Sequence, residues 1–349
     1  MTAKERFEEA IQFGRQDMAN SLHNIADEFR IRVDQVVKSE KISIKVGSEG
    51  ALMVETPERP FTPTDYATGQ IFSHYGIPRT FGAKLHEWDM DALLEKNFEE
   101  IGHGRFAGDG VMLRTVGNNL KGWLSPSYRR IDAAPVLESF VEAAVNQGMV
   151  PMRGFNTDTR YQLRFVLPDI MTPLGMENEA TVFGASLTTS DYGAGAFKAE
   201  LFLMRLICLN GMIGQQMFRR VHVGSRFESS DDVSILSDTT HALDVRTMAS
   251  AVRDLVRVLP ARKEAIKSKI EEAFEKEPSR AAWEMVRKAT DKGTFEKIKN
   301  TYDEQRDVAL LPEKPSAWRL ANAISLIAQG QDNSDKRIDL EALAMNAVA

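Results

Sequence analysis

The chain has 349 residues, of which 43% are hydrophobic and 27% charged, a balance typical of a folded protein with a substantial core. No run of eighteen apolar residues occurs and the N-terminus is charged, so we expect no membrane span, no secretory signal and a cytoplasmic location. The net charge of −6 gives no overall attraction to nucleic acid, and the single cysteine, Cys208, excludes an internal disulfide and a cysteine-based zinc cluster.

The first hundred residues predict helices around one hairpin. Apolar residues recur at helical intervals from residue 3 to about residue 38, and KISIKVGSEGALMVET then alternates like a β-hairpin. A second helix is predicted with Thr62 as its cap and Pro63 in its first position, ending near Gly76. A short helix in IPRTFGAKLHEW follows, and Asp89 is predicted to cap the next one.

Beyond Gly104 the pattern becomes richer in strands. GDGVMLRTVGNNLKGWLSPSYRRID predicts two strands joined at Gly-Asn-Asn and a turn at Ser-Pro-Ser, before a helix in AAPVLESFVEAAVNQG. Strand patterns dominate from Val150 to about Val223, including FRRVHVGS, and helical patterns from about Ser237 to Asn300. A short helix, WRLANAISLIAQG, and a polar tail complete the chain. This order predicts an α+β fold with a central, mainly antiparallel sheet.

The same boundaries divide the chain into three parts. We predict an N-terminal helical extension, a main domain with mixed, β-rich and helical thirds, and a C-terminal segment consisting of a helix and a polar tail. Their ranges are 1–40 for the extension, 41–300 for the main domain (41–148, 149–230 and 231–300), and 301–349 for the last segment.

The stretch SDYGAGAFKAELFLMRLICLNGM superficially resembles a phosphate-binding loop. It lacks the third glycine and the following helix of a dinucleotide fingerprint, so we interpret Gly193 and Gly195, which follow Ser190 and Asp191, as a hairpin turn. Inside the apolar run, Arg205 is predicted to be buried and paired with an acid such as Glu200 or Asp191, with a ligand contact as the alternative. Asn210 and Gly211 indicate a second tight turn.

These motifs together resemble the phage/plasmid-like protein family, catalogued as domain of unknown function 932. The pattern Ser-Asp-x-Gly-x-Gly, an apolar run with Arg, and Ile-Cys-x-Asn-Gly-Met carries the resemblance over roughly residues 45 to 300. Other matching motifs, in order, are Gly76-Ile77-Pro78-Arg79, Asn97, Leu113-Arg114-Thr115, Leu124-Ser125, Tyr128-Arg129-Arg130-Ile131-Asp132 and Val221-His222-Val223-Gly224. The resemblance implies a phage, plasmid or integrative element near replication and recombination genes, and no defined reaction.

The segment SYRRID brings aromatic and cationic side chains together. Five basic residues stand against one acid between Arg105 and Arg130, and thirteen against nine between Ala251 and Asn300. Cations that follow phosphates and aromatic rings that stack on bases are typical of single-stranded nucleic-acid binding. Six residues are candidate contacts: Arg114, Lys121, Trp123, Tyr128, Arg129 and Arg164.

A structural corner explains SYRRID equally well. In an extended chain Arg130 shares a face with Asp132 and pairs with it, which leaves Arg129 for a ligand, whereas a helical turn brings Arg129 to Asp132 instead. None of the six histidines forms a metal-binding motif, and His222 is interpreted as a hydrogen-bonded sheet residue.

We therefore predict a protein that binds single-stranded nucleic acid in replication or recombination, without a cofactor or metal. Its expected partners are single-stranded DNA, other proteins of the element and further copies of itself. Two other classes stay open. One is an adaptor or assembly protein using the amphipathic helix from about Ala242 to Lys276, with Leu243, Met248, Val252, Leu255 and Val256 on one face. The other is a hydrolytic or nucleic-acid-modifying enzyme.

Overall fold

Two sheets, built from successive parts of the chain, carry the fold. The computed structural model describes residues 2–47, 49–126, 128, 132–172, 179–206, 209–220, 238–304 and 311–347, with the backbone alone at 210, 213–220, 238 and 241. The first sheet contains β1 (Arg32–Lys38), β2 (Ser43–Val46), β3 (Leu52–Glu55), β4 (Pro60–Pro63), β5 (Gly110–Val116) and β6 (Asn119–Leu124). Its strand order is β1-β5-β6-β4-β3-β2, and the pairing of β4 with β6 is parallel.

The second sheet is an antiparallel meander of consecutive strands. It contains β7 (Val150–Asn156), β8 (Tyr161–Val166), β9 (Thr181–Thr189), β10 (Phe197–Arg205) and β11 (Asn210–Arg220), paired in that order. The predicted α+β fold with mainly antiparallel strands is confirmed, although the strands form two sheets.

Helices surround both sheets. They are α1 (Ala3–Ile31), α2 (Asp65–Tyr75), α3 (Arg79–Glu87), α4 (Asp91–His103), α5 (Ala133–Asn146), α6 (Asp238–Val258), α7 (Lys263–Glu275), α8 (Arg280–Ala289), α9 (Lys292–Asp303), α10 (Ala317–Gln329) and α11 (Ser334–Asn346). None of these helices is long and apolar enough to cross a membrane.

Apolar residues on alternating sides of the strands fill three clusters. One lies between the first sheet and α2 to α4 and includes Ile71, Phe98 and Leu113. The second sheet is covered on both faces, as its nearly continuous apolar strands require. Leu163 and Leu201 face α5, α6 and α10, whereas Phe202 and its neighbours face α1 and α11; all three side chains are at most 4% exposed.

Helix α1 lies directly on β7, because glycines permit the close approach. A Cβ at Gly14 would lie 2.4 Å from the carbonyl oxygen of Pro151, and one at Gly154 would lie 2.4 Å from Oγ of Ser21. Since α11 packs on the same face through Ile338, the segments 1–40 and 301–349 both contribute to the core of the β-rich region.

Three boundaries near the N-terminus differ from the predicted ones. The first helix ends at Ile31 and its predicted last turns form β1. Helix α2 is capped by Thr64, whose side chain accepts the Ala67 N–H, because Thr62 lies in β4 and pairs with Asn119. Asp89 has a positive φ of 54° before α4, where Met90 takes the N-cap position.

Two C-terminal predictions are also corrected. The predicted polar tail contains α11, capped by Asn333, whose side chain accepts the Lys336 N–H. The amphipathic stripe of the proposed adaptor helix belongs mainly to the core, because Met248, Val252 and Val256 are at most 4% exposed. Leu255 packs against the same core, and Leu243 is 56% exposed.

Candidate functional site

The loop at residues 190–196 is a hairpin connection, as the sequence predicts. Strands β9 and β10 pair antiparallel on either side of it, with Thr188 opposite Lys198. Gly193 has a φ of +82°, a conformation that glycine adopts without steric cost. Oγ of Ser190 accepts the N–H groups of Tyr192 at 3.1 Å and Ala194 at 3.0 Å, and donates to the Thr159 carbonyl at 2.6 Å. The loop is therefore fixed by hydrogen bonds within it and by one to the segment between β7 and β8.

This loop inserts Asp191 between the two sheets. The carboxylate, 3% exposed, pairs with Arg32 and accepts the Ala133 N–H at 2.9 Å. Its backbone carbonyl accepts Nη1 of Arg114 at 2.8 Å. Arg32 also bonds Asp132 at 2.5 Å. We call Arg32, Asp34, Arg114, Asp132 and Asp191 the Asp191 cluster.

Arg114 is the fully buried cation of the Asp191 cluster. Its Nε and Nη2 donate to the two carboxylate oxygens of Asp34 at 2.7 and 2.8 Å, the bidentate geometry that guanidinium groups favour. Burial raises the pKa of Asp191 to about 6, although the guanidinium groups of Arg32 and Arg114 oppose this shift. The cluster thus joins β1, β5, the start of α5 and the β9–β10 loop.

A second polar group lies beside it, and we call Glu28, Lys121, Tyr161 and Tyr192 the Glu28 cluster. Nζ of Lys121 lies 2.9 Å from Glu28, and both tyrosine hydroxyls donate to the same carboxylate at 2.8 Å. Burial opposes the charge of Glu28, but the hydrogen bonds from Lys121 and the tyrosines outweigh it and lower the pKa of Glu28. The cluster connects α1 to both sheets.

Four of the six predicted nucleic-acid contacts are buried. Arg114 is 0%, Lys121 8%, Trp123 5% and Arg164 1% exposed. Arg164 pairs with Glu341 on α11 and bonds Oε1 of Gln162. We therefore correct the assignment of these four residues, because the three cations are buried in ion pairs and the buried Trp123 ring packs against His74 and Tyr75.

The corner at SYRRID is described in part. The Tyr128 N–H donates to the Ser125 carbonyl at 2.9 Å, and its hydroxyl donates to the Ser190 carbonyl at 3.3 Å. Asp132 pairs with Arg32, a partner that the sequence did not indicate. Arg129, Arg130 and His222 lie outside the described residues, so the predictions made for them remain predictions.

Arg205 is buried and paired, as predicted, but with a different acid. Its guanidinium bonds Glu179, which also accepts Nε1–H of Trp318 on α10 at 2.8 Å. Asp191 is unavailable because it belongs to its own cluster, and Glu179 was missed because it precedes β9 without any motif.

The second tight turn is shifted by one residue from its prediction. Asn210 pairs with Arg205 as the first residue of β11, and Leu209, with a φ of 53°, adopts the left-handed conformation. Gly211 is required by space instead, since a Cβ there would lie 2.8 Å from the Phe202 ring.

The helices α8 and α9 carry exposed cations. Besides Arg280, which pairs with Glu284, these are Arg287, Lys288, Lys292, Lys297 and Lys299. No carboxylate of the described residues pairs with them, and two nearby acids are occupied: Glu284 bonds Arg280 at 3.2 Å, and Asp291 caps α9. Glu296 and Asp303 are exposed on α9 as well, so the surface is basic without being free of acids. We call the five cations the α8–α9 basic surface.

Aromatic rings hold these two helices together. The ring of Trp283 meets those of Phe295 and Tyr302 edge-on, with centroids 6.2 and 5.2 Å apart. All three side chains are half-buried. This packing fixes the two helices relative to each other and leaves part of each ring accessible beside the cations.

Comparisons of the chain with models of protein families, with curated proteins and with solved structures find no match. Within the described ranges, no group of three or more His, Cys, Asp and Glu side chains is arranged to hold a metal ion. Functional inference therefore rests on the side-chain geometry, and the resemblance to the phage/plasmid-like family remains a prediction.

Proposed function

We propose that the protein binds single-stranded nucleic acid through the α8–α9 basic surface. The observation that carries this proposal is the set of five exposed cations without described carboxylate partners, in a chain whose net charge is −6. Among the described cations of the site predicted from the sequence, Arg114, Lys121 and Arg164 are buried in ion pairs. The resemblance to phage and plasmid proteins adds the expectation of a cytoplasmic role in replication or recombination.

The arrangement suits a flexible polyanion better than a small ligand. Arg287 and Lys288 end α8, Lys292 begins α9, and Lys299 lies ~10 Å further along that helix. A row of separated cations follows a phosphate backbone, and the partly accessible rings of Trp283 and Tyr302 stand next to it for stacking. Binding of this kind needs neither a cofactor nor a reaction.

A charge-neutralising variant tests the proposal. In Arg287→Gln/Lys288→Gln/Lys292→Gln, three phosphate contacts are lost, so affinity for single-stranded DNA should fall. The slope of log affinity against log salt should flatten by ~2, since each contact to a single strand contributes ~0.7. Fluorescence anisotropy with a labelled oligonucleotide at several salt concentrations measures both quantities.

The matched control removes the same total charge elsewhere. Arg15, Lys84 and Lys96 are exposed on α1, α3 and α4 and form no ion pair with the described residues. Their triple Gln variant should keep the wild-type salt slope. Equal slopes in both triple variants, or no binding by the wild type, would count against this surface.

A further inference from the structure

Strand β1 lies at the edge of the first sheet. Among the described strands only β5 pairs with it. Val33 and Val36 are 51% and 46% exposed on this edge, and Phe29 and Ile31 immediately before it are 41% and 54% exposed. An exposed apolar edge strand is a ready template for pairing with another strand.

The backbone groups that face outward are fixed by the pairing with β5. The Ser39 N–H donates to the Asp109 carbonyl at 2.9 Å, continuing the register in which Lys38 opposes Gly110. In an antiparallel pair, successive residues direct their N–H and C=O groups to opposite sides. Asp34, Val36 and Lys38 therefore direct theirs away from β5, toward the open edge.

We propose that this edge is the interface of a homodimer, in which β1 of a second copy pairs antiparallel with β1 and joins two six-stranded sheets into one. With a two-fold axis perpendicular to the sheet, residues can lie opposite each other only if their side chains point to the same face of the sheet. In every allowed register, one residue of β1 therefore lies on the axis, opposite its own copy, and the register is centred on that residue.

Charge complementarity selects one of these registers. Centring on Gln35 places Arg32 opposite Lys38, and centring on Asp34 places that carboxylate opposite itself. Centring on Val36 places Lys38 of each copy opposite Asp34 and the exposed valine against its own copy. The Asp34 carboxylate already binds Arg114, but the Asp191 cluster to which it belongs holds three acids against two arginines, so each Lys38 meets a net negative charge. Opposite charges across a strand pair stabilise it and like charges destabilise it. Centring on Val33 also opposes unlike charges, Arg32 and Asp34, but it pairs only residues 32–34 of each strand, because α1 ends at Ile31. Centring on Val36 pairs residues 34–38, so this register is favoured.

The oligomeric state of the 349-residue chain tests this interface. Sedimentation velocity at micromolar concentrations should show a dimer for the wild type. Val36→Lys places two ammonium groups opposite each other and should give a monomer with unchanged circular dichroism. Val258→Lys, at an equally exposed valine on α6 (45%), should leave the dimer intact. A monomeric wild type, or a Val36→Lys variant that still dimerises, would overturn the proposal.

Cysteine cross-linking tests the register separately. In a Cys208→Ser background, Val36→Cys should oxidise to a covalent dimer, because directly opposed residues have Cα atoms ~5.5 Å apart, within the reach of a disulfide. Gln35→Cys and Val258→Cys should cross-link far less. Preferential cross-linking of Gln35→Cys would contradict the Val36-centred register. None of these outcomes depends on DNA binding, so this inference and the proposed function stand or fall independently.

Discussion

At the scale of single residues, both buried arginines of the second sheet, Arg164 and Arg205, pair with buried acids. Arg205 and Glu179 are 2% and 4% exposed, and Trp318 also donates a hydrogen bond to that carboxylate. The sequence predicts that such an arginine must be paired, because an isolated buried charge is costly. It does not indicate the partner, which is 26 residues away along the chain.

Arg205→Met should therefore destabilise the protein, because it leaves the carboxylate of Glu179 buried without its cation. Removing one member of a buried pair typically costs about 3 kcal/mol or more, whereas replacing both members is far less damaging. Urea unfolding of Arg205→Met and of Arg205→Met/Glu179→Gln measures the difference. If the double variant is as unstable as the single one, the stranded carboxylate is not the cause.

Asp191 makes stability depend on pH in a specific direction. Burial raises its pKa from 3.8 to about 6, so between these values the folded protein holds a proton that the unfolded chain has released. This contribution favours the folded state below pH 4 and is lost as the pH rises through 6. Relative to Asp191→Asn, the wild type should lose up to about 3 kcal/mol between pH 4 and pH 7.

Urea unfolding at several pH values measures that difference. Asp254→Asn, whose carboxylate is 70% exposed on α6, controls for the loss of one negative charge. A constant difference between wild type and Asp191→Asn across this range would contradict the buried ionisation.

At the scale of elements, the two misassigned segments show what local pattern cannot decide. RVDQVVK continues a helical spacing, yet its β-branched valines suit a strand, and pairing with β5 settles the choice. The last segment is polar in composition because one face of α11 is exposed. The buried face of the same helix includes Glu341, although a glutamate is normally expected at the surface. In both segments a distant partner determines the structure.

Helix α11 permits a matched comparison of two carboxylates. Glu341 is fully buried between Arg164 and Arg337, whereas Asp339 pairs with Arg160 at the surface and is 62% exposed. Glu341→Gln should lower the free energy of unfolding by about 3 kcal/mol, because it leaves the guanidinium of Arg164 buried without a charged partner. Asp339→Asn should lower it by less than about 1 kcal/mol. Thermal unfolding of both variants measures this, and equal costs would show that α11 is not anchored through Glu341.

At the scale of the whole molecule, the sequence predicts most helices and strands correctly, but it does not predict which of their polar side chains are buried in ion pairs. Helix and strand periodicity is local, so the α+β class and the hairpin at Gly193 could be predicted. The burial of the predicted site could not be predicted, because Arg114 and Lys121 indicate a basic surface when only the sequence around them is considered. Their partners, Asp34 in β1 and Glu28 in α1, are distant in sequence. A cationic side chain can contact a ligand only if it is exposed, and its exposure depends on the tertiary structure rather than on the local sequence.

The Asp191 cluster also has a consequence for the order of folding. Arg32 and Asp191 are 159 residues apart, so the first sheet cannot complete its polar contacts until the β9–β10 loop has been synthesised. At 5–20 residues per second, a ribosome needs roughly ten to thirty seconds to cover that interval. During this time the nascent chain carries arginine and aspartate side chains whose partners do not yet exist. Contacts between residues so far apart in sequence slow folding. The N-terminal half of the chain therefore cannot complete its native contacts until the β9–β10 loop has been synthesised.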